Sequence, residues 1–374
     1  MQAMVLTGHG GIDKLVYQTV PTPKPKAHEV LVKVTATAKN NTDRKVREGL
    51  YPTQDNSQVT SFQMTQSPTL QFPRIQGADV VGRIVDVGSE VNSARIGQRG
   101  LLDFNIYAND NPNLNLTPDY YGHGADGGFA QYVAVSSEQF YSMDNVDISD
   151  AELASLGMCS YQTAYHMLTS ANVKAGENVL ISGASGGVGT ALIQLCRIIG
   201  ATPHAISSPG KEAGLKALGA QSVIDRTQVS DWKKAVDEAT GGVIIDAVMD
   251  LAGGVMTNPL LDVMTQFMSQ RKSYPRLSIA GASAGNVTEI LWTKIYLYQI
   301  QIFGVSHGTR AEADQLMQWI AKGQLKPVLH GAFKLSELHA AETYFADNRR
   351  DDYLGKIVIV PDDEWQQYGQ AYAL

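Results

Sequence analysis

Short runs of alternating apolar and polar residues dominate the first part of the chain. Residues 30–36, 79–87 and 129–135 are rich in valine and other β-branched side chains, and glycines or prolines stand between them. Alternation with a period of two predicts strands with one buried face. Short strands with frequent turns are typical of a barrel. The N-terminal pattern therefore predicts a β-barrel-like domain.

The pattern changes near residue 150, where apolar runs begin to alternate with helical stretches. Ser149, Asp150 and Glu152 are the residue types of a helix start. Near-continuous apolar strands that alternate with helices indicate a parallel sheet covered on both faces, so the sequence predicts an α/β fold. Strands are predicted at residues 179–182, 202–207, 223–224, 243–247, 277–280, 300–305 and 356–360, and late helices at residues 311–322 and 336–347.

Residues 53–72 interrupt the strand pattern. They are rich in Gln, Ser and Thr and follow no period, which predicts a long surface loop. Loops of this length either serve a function, such as covering a site, or are simply mobile. The sequence leaves both roles open.

The strongest local signal is an apolar strand that leads through a glycine-rich turn into a helix at residues 178–196. Glycines let the backbone approach a pyrophosphate, and the N–H groups at a helix start bind the anion. This context predicts a dinucleotide-binding turn; a tight turn without a ligand is the alternative. The turn consists of Ala184, Ser185, Gly186, Gly187, Val188 and Gly189.

The residues after the second strand of this domain bear on the choice between NAD and NADP. A carboxylate at the end of that strand would bind the ribose 2′-hydroxyl of NAD. Here the strand ends in Ser207 and Ser208, Lys211 follows, and no carboxylate occurs before Glu212. Hydroxyls and a lysine suit a 2′-phosphate, so we predict NADP(H). Arg226 is a second candidate cation, although single surface cations are usually just solvated.

Charge and cysteine content exclude several classes of function. The formal net charge is −7 and no basic block occurs, so we expect neither nucleic-acid nor membrane binding. Two cysteines, Cys159 and Cys196, cannot form a disulfide framework or a four-cysteine zinc site. No signal peptide or long apolar run is evident. We therefore expect a cytoplasmic protein.

Several motifs in order along the chain resemble the medium-chain dehydrogenase/reductase superfamily, and within it the zinc-free quinone oxidoreductase-like branch. The resemblance implies a GroES-like β-barrel catalytic domain at residues 1–148 and 306–374, with a Rossmann NADP-binding domain at residues 149–305. The matching motifs lie at residues 40–43, 49–52, 72–79, 127–132, 163–164, 184–189 and 354–358.

The same resemblance bears on zinc. Zinc-dependent members carry a cysteine where this chain has Asn40 and a histidine where it has Ala78; only Cys159 matches a ligand. A catalytic zinc needs three protein ligands. We therefore expect no metal in this chain, and Cys159 to be a small buried residue.

Candidate catalytic residues also follow from the resemblance. Asn40 matches a family asparagine beside the nicotinamide and substrate, and Tyr51 matches a proton-donating tyrosine of related enoyl reductases. The alternatives are a turn-stabilising asparagine and a packed aromatic ring. Asp43 is expected to orient its neighbours, and Thr163 to lie near the nicotinamide. His123, a lone loop histidine, is expected at the surface.

These observations predict an NADPH-dependent oxidoreductase that reduces quinones or enone-type C=C bonds of a small-molecule substrate. One alternative is a zinc-independent reductase of alcohols, aldehydes or acyl thioesters. Another is a crystallin-like nucleotide-binding protein with little catalysis. The apolar strand predicted at residues 300–305 has the character of a pairing edge. We therefore expect a homodimer or a multiple of one, such as a homotetramer.

Overall fold

A computed structural model describes residues 1–50, 70–107, 119–346 and 352–374. The strands are β1 (Gln2–Leu6), β2 (Leu15–Thr19), β3 (Glu29–Ala38), β4 (Arg74–Ile75), β5 (Val81–Val87), β6 (Arg99–Leu102), β7 (Asn105–Ile106), β8 (Asp119–Tyr120), β9 (Tyr132–Ser136), β10 (Phe140–Ser142), β11 (Asn178–Ile181), β12 (Thr202–Ser207), β13 (Ser222–Asp225), β14 (Ala247–Asp250), β15 (Arg276–Ile279), β16 (Gln301–Gly304), β17 (Leu329–Lys334) and β18 (Lys356–Val360). The helices are α1 (Asn41–Arg47), α2 (Asp150–Ser155), α3 (Met158–Ser170), α4 (Gly187–Ile198), α5 (Glu212–Leu218), α6 (Trp232–Thr240), α7 (Thr257–Met264), α8 (Trp292–Leu297), α9 (Arg310–Ala321), α10 (Leu338–Ala346) and α11 (Trp365–Tyr368).

The chain forms two compact units. The first comprises Met1–Cys159, Thr309–Asn348 and Lys356–Leu374, and the second comprises Ser160–Gly308 and Arg349–Gly355. The first unit therefore extends past residue 148, where we placed the boundary. The reason is α2, whose Asp150 accepts hydrogen bonds from Thr35 on β3 and Arg99 on β6, each at 2.5 Å.

The first unit is built on a mainly antiparallel sheet. β3 pairs antiparallel with β5, β9 and β18, while β17 lies parallel to β18 at one end. Inward valines of β3 and β9 pack with Ile84, Leu102 and Phe140 to form the core. This is the barrel-like domain that the alternating pattern predicts, and the two-domain α/β fold class is confirmed.

The second unit contains a parallel sheet with the strand order β13-β12-β11-β14-β15-β16. Numbered within the unit, that order is 3-2-1-4-5-6, the Rossmann arrangement, in which ligands bind at the carboxyl ends of the strands. Leu180, Ile206, Val248 and Leu277, one from each of four neighbouring strands, share one buried core. The Rossmann domain is therefore confirmed.

Two predicted strands begin three or four residues later than the pattern indicated. The strand predicted at residues 243–247 is β14, which begins only at Ala247. Gly241 and Gly242 both turn the chain with positive φ, so residues 243–246 connect this turn to the strand. The strand predicted at residues 129–135 is β9, which begins at Tyr132.

Candidate active site

The glycine-rich turn joins β11 to α4 within the second unit. Gly183 has a φ of +61° and makes the tight bend one residue before Ala184. A Cβ on Gly189 would lie 2.5 Å from the Cα of Ala184, so the helix packs directly against the turn. A Cβ on Gly186 would meet only the Gly183 carbonyl oxygen, at 3.8 Å. The backbone at Gly186 is therefore open to a ligand.

The start of α4 is suited to an anion. Gly186 is the N-cap residue and provides no side-chain cap for the first N–H groups of this helix. Unpaired N–H groups and the positive end of the helix dipole favour negative charge. The Thr190 hydroxyl donates to the Gly186 carbonyl at 3.0 Å, and the Gly355 N–H donates to the Ser185 carbonyl at 2.8 Å. These bonds hold the turn in a shape that fits a pyrophosphate.

The residues predicted to select the ribose lie at the adjoining strand ends. The Arg226 N–H donates to the Ser207 carbonyl at 2.9 Å, so β12 and β13 bring these two residues together. Arg226 is exposed and Ser208 is half-buried, whereas Lys211 is buried. Ser207 Oγ is buried and has no hydrogen-bond partner within the described ranges. A buried hydroxyl in that state is suited to a polar ligand group.

A second cluster of polar groups lies buried in the first unit, around the N-cap of α1. The Asn40 backbone N–H donates to Asp43 at 2.7 Å, and Asn40 Nδ2 donates to Asp79 at 2.9 Å and to the Ala38 carbonyl at 3.2 Å. Lys356 Nζ donates to Asn40 Oδ1 and, at 3.2 Å, to Asp79. The side-chain amide of Asn40 is therefore held on all sides by its own chain.

Asp79 is the hub of this cluster. Besides Asn40 and Lys356, it accepts the N–H of Cys159 at 2.9 Å. A Cβ on Gly157 would lie 2.2 Å from the Asp79 carboxylate, so only glycine lets the chain pass this close. Burial raises the pKa of the Cys159 thiol well above its usual value, and the Asp79 charge raises it further. Cys159 is half-buried, whereas we expected a small buried residue.

An ion network continues from this cluster towards α10. Lys39 is completely buried, with Nζ 2.7 Å from Glu342 and 3.6 Å from Asp43. Arg47 lies 3.1 Å from the other oxygen of Glu342. Burial would raise the pKa of Glu342, but Lys39 and Arg47 together hold it below its usual value. For Asp43 burial prevails over these charges and its pKa is raised.

The comparisons with known proteins agree with this geometry. The family model for the alcohol dehydrogenase GroES-like domain matches residues 26–145, and the model named zinc-binding dehydrogenase matches residues 187–322. The chain is 34% identical to the 2-methylene-furan-3-one reductase of Solanum lycopersicum, over 96% of this chain and 79% of that protein. It is 27% identical to an NAD-dependent alcohol dehydrogenase of Sulfurisphaera tokodaii, over 96% of this chain and 100% of that protein.

One solved structure is similar over nearly the whole length. It comes from Sinorhizobium meliloti 1021 and is described as a candidate alcohol dehydrogenase. The identity is 45%, the TM-score is 0.89, and the match covers 97% of each chain.

The chain belongs to the medium-chain dehydrogenase/reductase superfamily. It is therefore an oxidoreductase that uses a nicotinamide cofactor, and the glycine-rich turn of the second unit is the element that fits the cofactor's pyrophosphate. No helix in the described ranges is long and apolar enough to cross a membrane.

The zinc implied by the name of the second family model does not fit the residues of this chain. Asn40 offers a neutral amide and Ala78 offers no donor, so Cys159 alone keeps the side chain of a zinc ligand, whereas a catalytic zinc needs three protein ligands. Asp79 already binds Lys356 and two N–H donors. Among the described residues, no group of three or more His, Cys, Asp or Glu side chains is arranged to hold a metal ion.

The other predicted site residues are placed differently. Tyr51 lies outside the described residues, as do residues 53–69 of the predicted loop. Thr163 lies half-buried on α3 in the second unit. The expectation for His123 was wrong: it is buried, its Nδ1 lies 2.7 Å from Asp119, and its ring stacks on Tyr120. The carboxylate four residues earlier offsets the cost of removing this ring from water.

Sequence reasoning missed Lys356, Lys39 and Glu342 as members of the buried cluster. Lys356 lies in the motif at residues 354–358, but that motif does not indicate which residues its side chain contacts. The one available signal is a lysine at the start of an otherwise apolar strand, Lys356–Val360. Lysine is almost never fully buried unless it is paired, so that signal predicts either an exposed end or a buried partner.

Proposed function

We propose that this chain is an NADPH-dependent reductase of activated C=C bonds, of the enone type, or of quinones, and that it works without zinc. The observation that carries the proposal is the cluster around Asn40. Two of the positions that the resemblance assigns to zinc ligands hold Asn40 and Ala78, and the Asn40 amide is bonded to the Asp79 carboxylate and the Lys356 ammonium. The similarity to a 2-methylene-furan-3-one reductase supports a C=C bond as the target.

The chemistry of such a reduction asks little of a metal. When bound, the cofactor supplies a hydride, and the protein supplies geometry and electrostatics. In an enone the β-carbon gains the hydride, the C=C electron pair moves towards the carbonyl, and the carbonyl oxygen becomes an enolate oxygen. The α-carbon then takes a proton. The protein must therefore stabilise one oxyanion and deliver one proton.

Asn40 is the proposed oxyanion donor. Its Nδ2 bond to the Ala38 carbonyl, at 3.2 Å, is longer than its bond to Asp79, at 2.9 Å. A substrate oxygen would replace the longer bond, while the bond to Asp79 keeps the amide in place. Asp43 holds the backbone of Asn40 and is therefore a positioning residue.

Tyr51 is the proposed proton donor, on the resemblance alone. Tyr51→Phe keeps the ring and removes only the acidic proton. A positioned proton donor contributes about 10²–10⁴ in rate, so enone turnover should fall strongly while NADPH affinity stays the same. Quinone reduction should fall less, because a hydroquinone anion is a weaker base and can take its proton from water.

The choice of NADPH rests on the residues after β12. Ser207 has a buried hydroxyl without a partner in the described chain, Ser208 is half-buried, and Arg226 is held beside them. No carboxylate follows β12 before Glu212. Asp225, at the end of β13, binds the N–H and hydroxyl of Thr227 through Oδ1, at 2.9 and 2.8 Å.

A single assay tests the proposed function. Purified protein is mixed with NADPH or NADH and with a quinone, an enone, an aldehyde or a saturated acyl thioester, and cofactor oxidation is followed by absorbance. We expect turnover with NADPH and the quinone or enone. Turnover confined to the aldehyde or the thioester would replace this proposal with the alternative reductases. No turnover with any substrate would favour the crystallin-like alternative.

A further inference from the structure

Lys356 is a buried cation with a defined role in the geometry of the Asn40 cluster. Its side chain is 4% exposed, and its ammonium binds Asn40 Oδ1 and Asp79. Asn40 and Lys356 are 316 positions apart in sequence, so the fold brings them together. Burying an ammonium costs free energy unless its partners offset that cost, and here Asp79 and Asn40 are those partners.

The ammonium decides which way the Asn40 amide faces. Oδ1 accepts from a cation, so Nδ2 must present its two hydrogens on the other side, towards Asp79 and Ala38. Without Lys356, the amide could rotate and exchange its oxygen and nitrogen. A hydrogen bond to the oxygen also draws electron density from the amide, which makes the N–H groups stronger donors.

The influence of Lys356 extends to the neighbouring titratable groups. Burial raises the pKa of both Asp43 and Cys159, and the Lys356 charge opposes the rise at each of them. The ammonium thus lies at the centre of the cluster formed by Asn40, Asp43, Asp79 and Cys159. In a zinc-dependent member of this superfamily, two of these positions, those of Asn40 and Cys159, would hold metal ligands.

We propose that the Lys356 ammonium is the resident cation of this centre and that it fixes and polarises the Asn40 amide. The N–H that is bonded to the Ala38 carbonyl, at 3.2 Å, would then pass to the oxyanion that forms on the substrate. Lys356 is a positioning residue, because it acts through Asn40 and does not contact the substrate. This inference rests on the proposed function. It explains how a centre without metal donors keeps a fixed positive charge beside its hydrogen-bond donor.

Three variants test the role of the charge, each assayed for enone reduction, NADPH affinity and thermal stability. Lys356→Met keeps the stem and removes the ammonium; we expect kcat to fall about 10²-fold or more, as for the loss of an oxyanion donor. Lys356→Arg keeps a cation and should retain at least about ten times the kcat of Lys356→Met. NADPH affinity should be unchanged in both, because the phosphate turn belongs to the other unit.

The third variant separates positioning from simple charge neutralisation. Lys356→Met leaves the buried Asp79 without its cation, which destabilises the fold by itself. Lys356→Met combined with Asp79→Asn has no such unpaired charge. We expect this double variant to regain thermal stability and to keep the low kcat. Recovery of both stability and wild-type kcat would overturn the proposal, because Lys356 would then serve only to neutralise Asp79.

Arg99→Met is the matched control for general damage. Arg99 is another buried cation of the first unit and is paired with Asp150, at 2.5 Å. Its loss should lower thermal stability while kcat per folded molecule stays near the wild-type value. If Arg99→Met lowers kcat as much as Lys356→Met, or if Lys356→Met retains wild-type kcat, the proposal is wrong. Wild-type protein that reduces no enone would instead refute the proposed function, before any variant is compared.

Discussion

Gly186 and Gly189 of the phosphate turn offer a matched pair of perturbations, one for binding and one for packing. In Gly189→Ala, the new Cβ would lie 2.5 Å from the Cα of Ala184 and 2.6 Å from its carbonyl carbon and oxygen. Carbon atoms pack at about 3.5–4.0 Å, so α4 must move by about 1 Å. Overpacking of this kind costs typically 1–3 kcal/mol. We expect a lower free energy of unfolding and weaker NADPH binding.

Gly186→Ala should behave in the opposite way. Its φ of −78° is open to any residue, and the new Cβ would meet only the Gly183 oxygen, at 3.8 Å. The folded protein therefore accommodates the methyl group at little cost. The methyl group would, however, collide with a pyrophosphate that approaches this backbone. We therefore expect NADPH affinity to fall at least tenfold, equivalent to about 1.4 kcal/mol.

Thermal unfolding and fluorescence titration with NADPH measure the two effects on the same samples. The account predicts that Gly189→Ala loses stability and affinity together, whereas Gly186→Ala loses affinity alone. Wild-type affinity in Gly186→Ala would refute the reasoning, because the pyrophosphate would then not pass over this turn. A large stability loss in Gly186→Ala would show that the open space at Gly186 is filled in the folded protein.

Three further predictions concern the cofactor, the assembly and the pH dependence of stability. Ser208→Asp places a carboxylate where a 2′-phosphate would lie, so the ratio of NADPH to NADH affinity should fall; an unchanged ratio would contradict it. Among the described strands, β16 pairs only with β15, and Ile302 of β16 is 40% exposed. Light scattering should therefore report a homodimer or a multiple of one, and Ile302→Lys should weaken the association between copies. Burial raises the pKa of Asp103 to about 7. The folded state therefore keeps a proton on Asp103 that the unfolded state loses above about pH 4. Because of this difference, the free energy of unfolding should fall from pH 4 to pH 7. Asp103→Asn should flatten that slope, as measured by denaturant unfolding at several pH values.

Local pattern was sufficient for much of the fold. β12 and β18 occupy the predicted residues 202–207 and 356–360, because each is an apolar run between clear turn signals. Ser149 caps α2 as its sequence signature predicts, accepting the N–H of Glu152. The late start of β14 could not be predicted, since the sequence shows Gly241 and Gly242 but not the positive φ with which they turn the chain.

The candidate site was predictable only where it is local in sequence. The turn from Ala184 to Gly189 is continuous, so strand, glycines and helix could be recognised together. The Asn40 cluster draws on residues 39 and 316 positions away, Asp79 and Lys356. No periodicity relates such positions, and a buried lysine is recognised only when its partner is known. The burial of His123 likewise depends on a contact, its bond to Asp119.

The central claim is a hydride transfer to a C=C bond without a metal. The most direct measurement is enone reduction with NADPH deuterated at the transferring position, using protein whose metal content has been determined and which has been treated with a chelator. The account predicts a saturated ketone with deuterium on the β-carbon, at a rate that the chelator does not change. Deuterium on the carbonyl carbon, or activity in proportion to bound zinc, would contradict it.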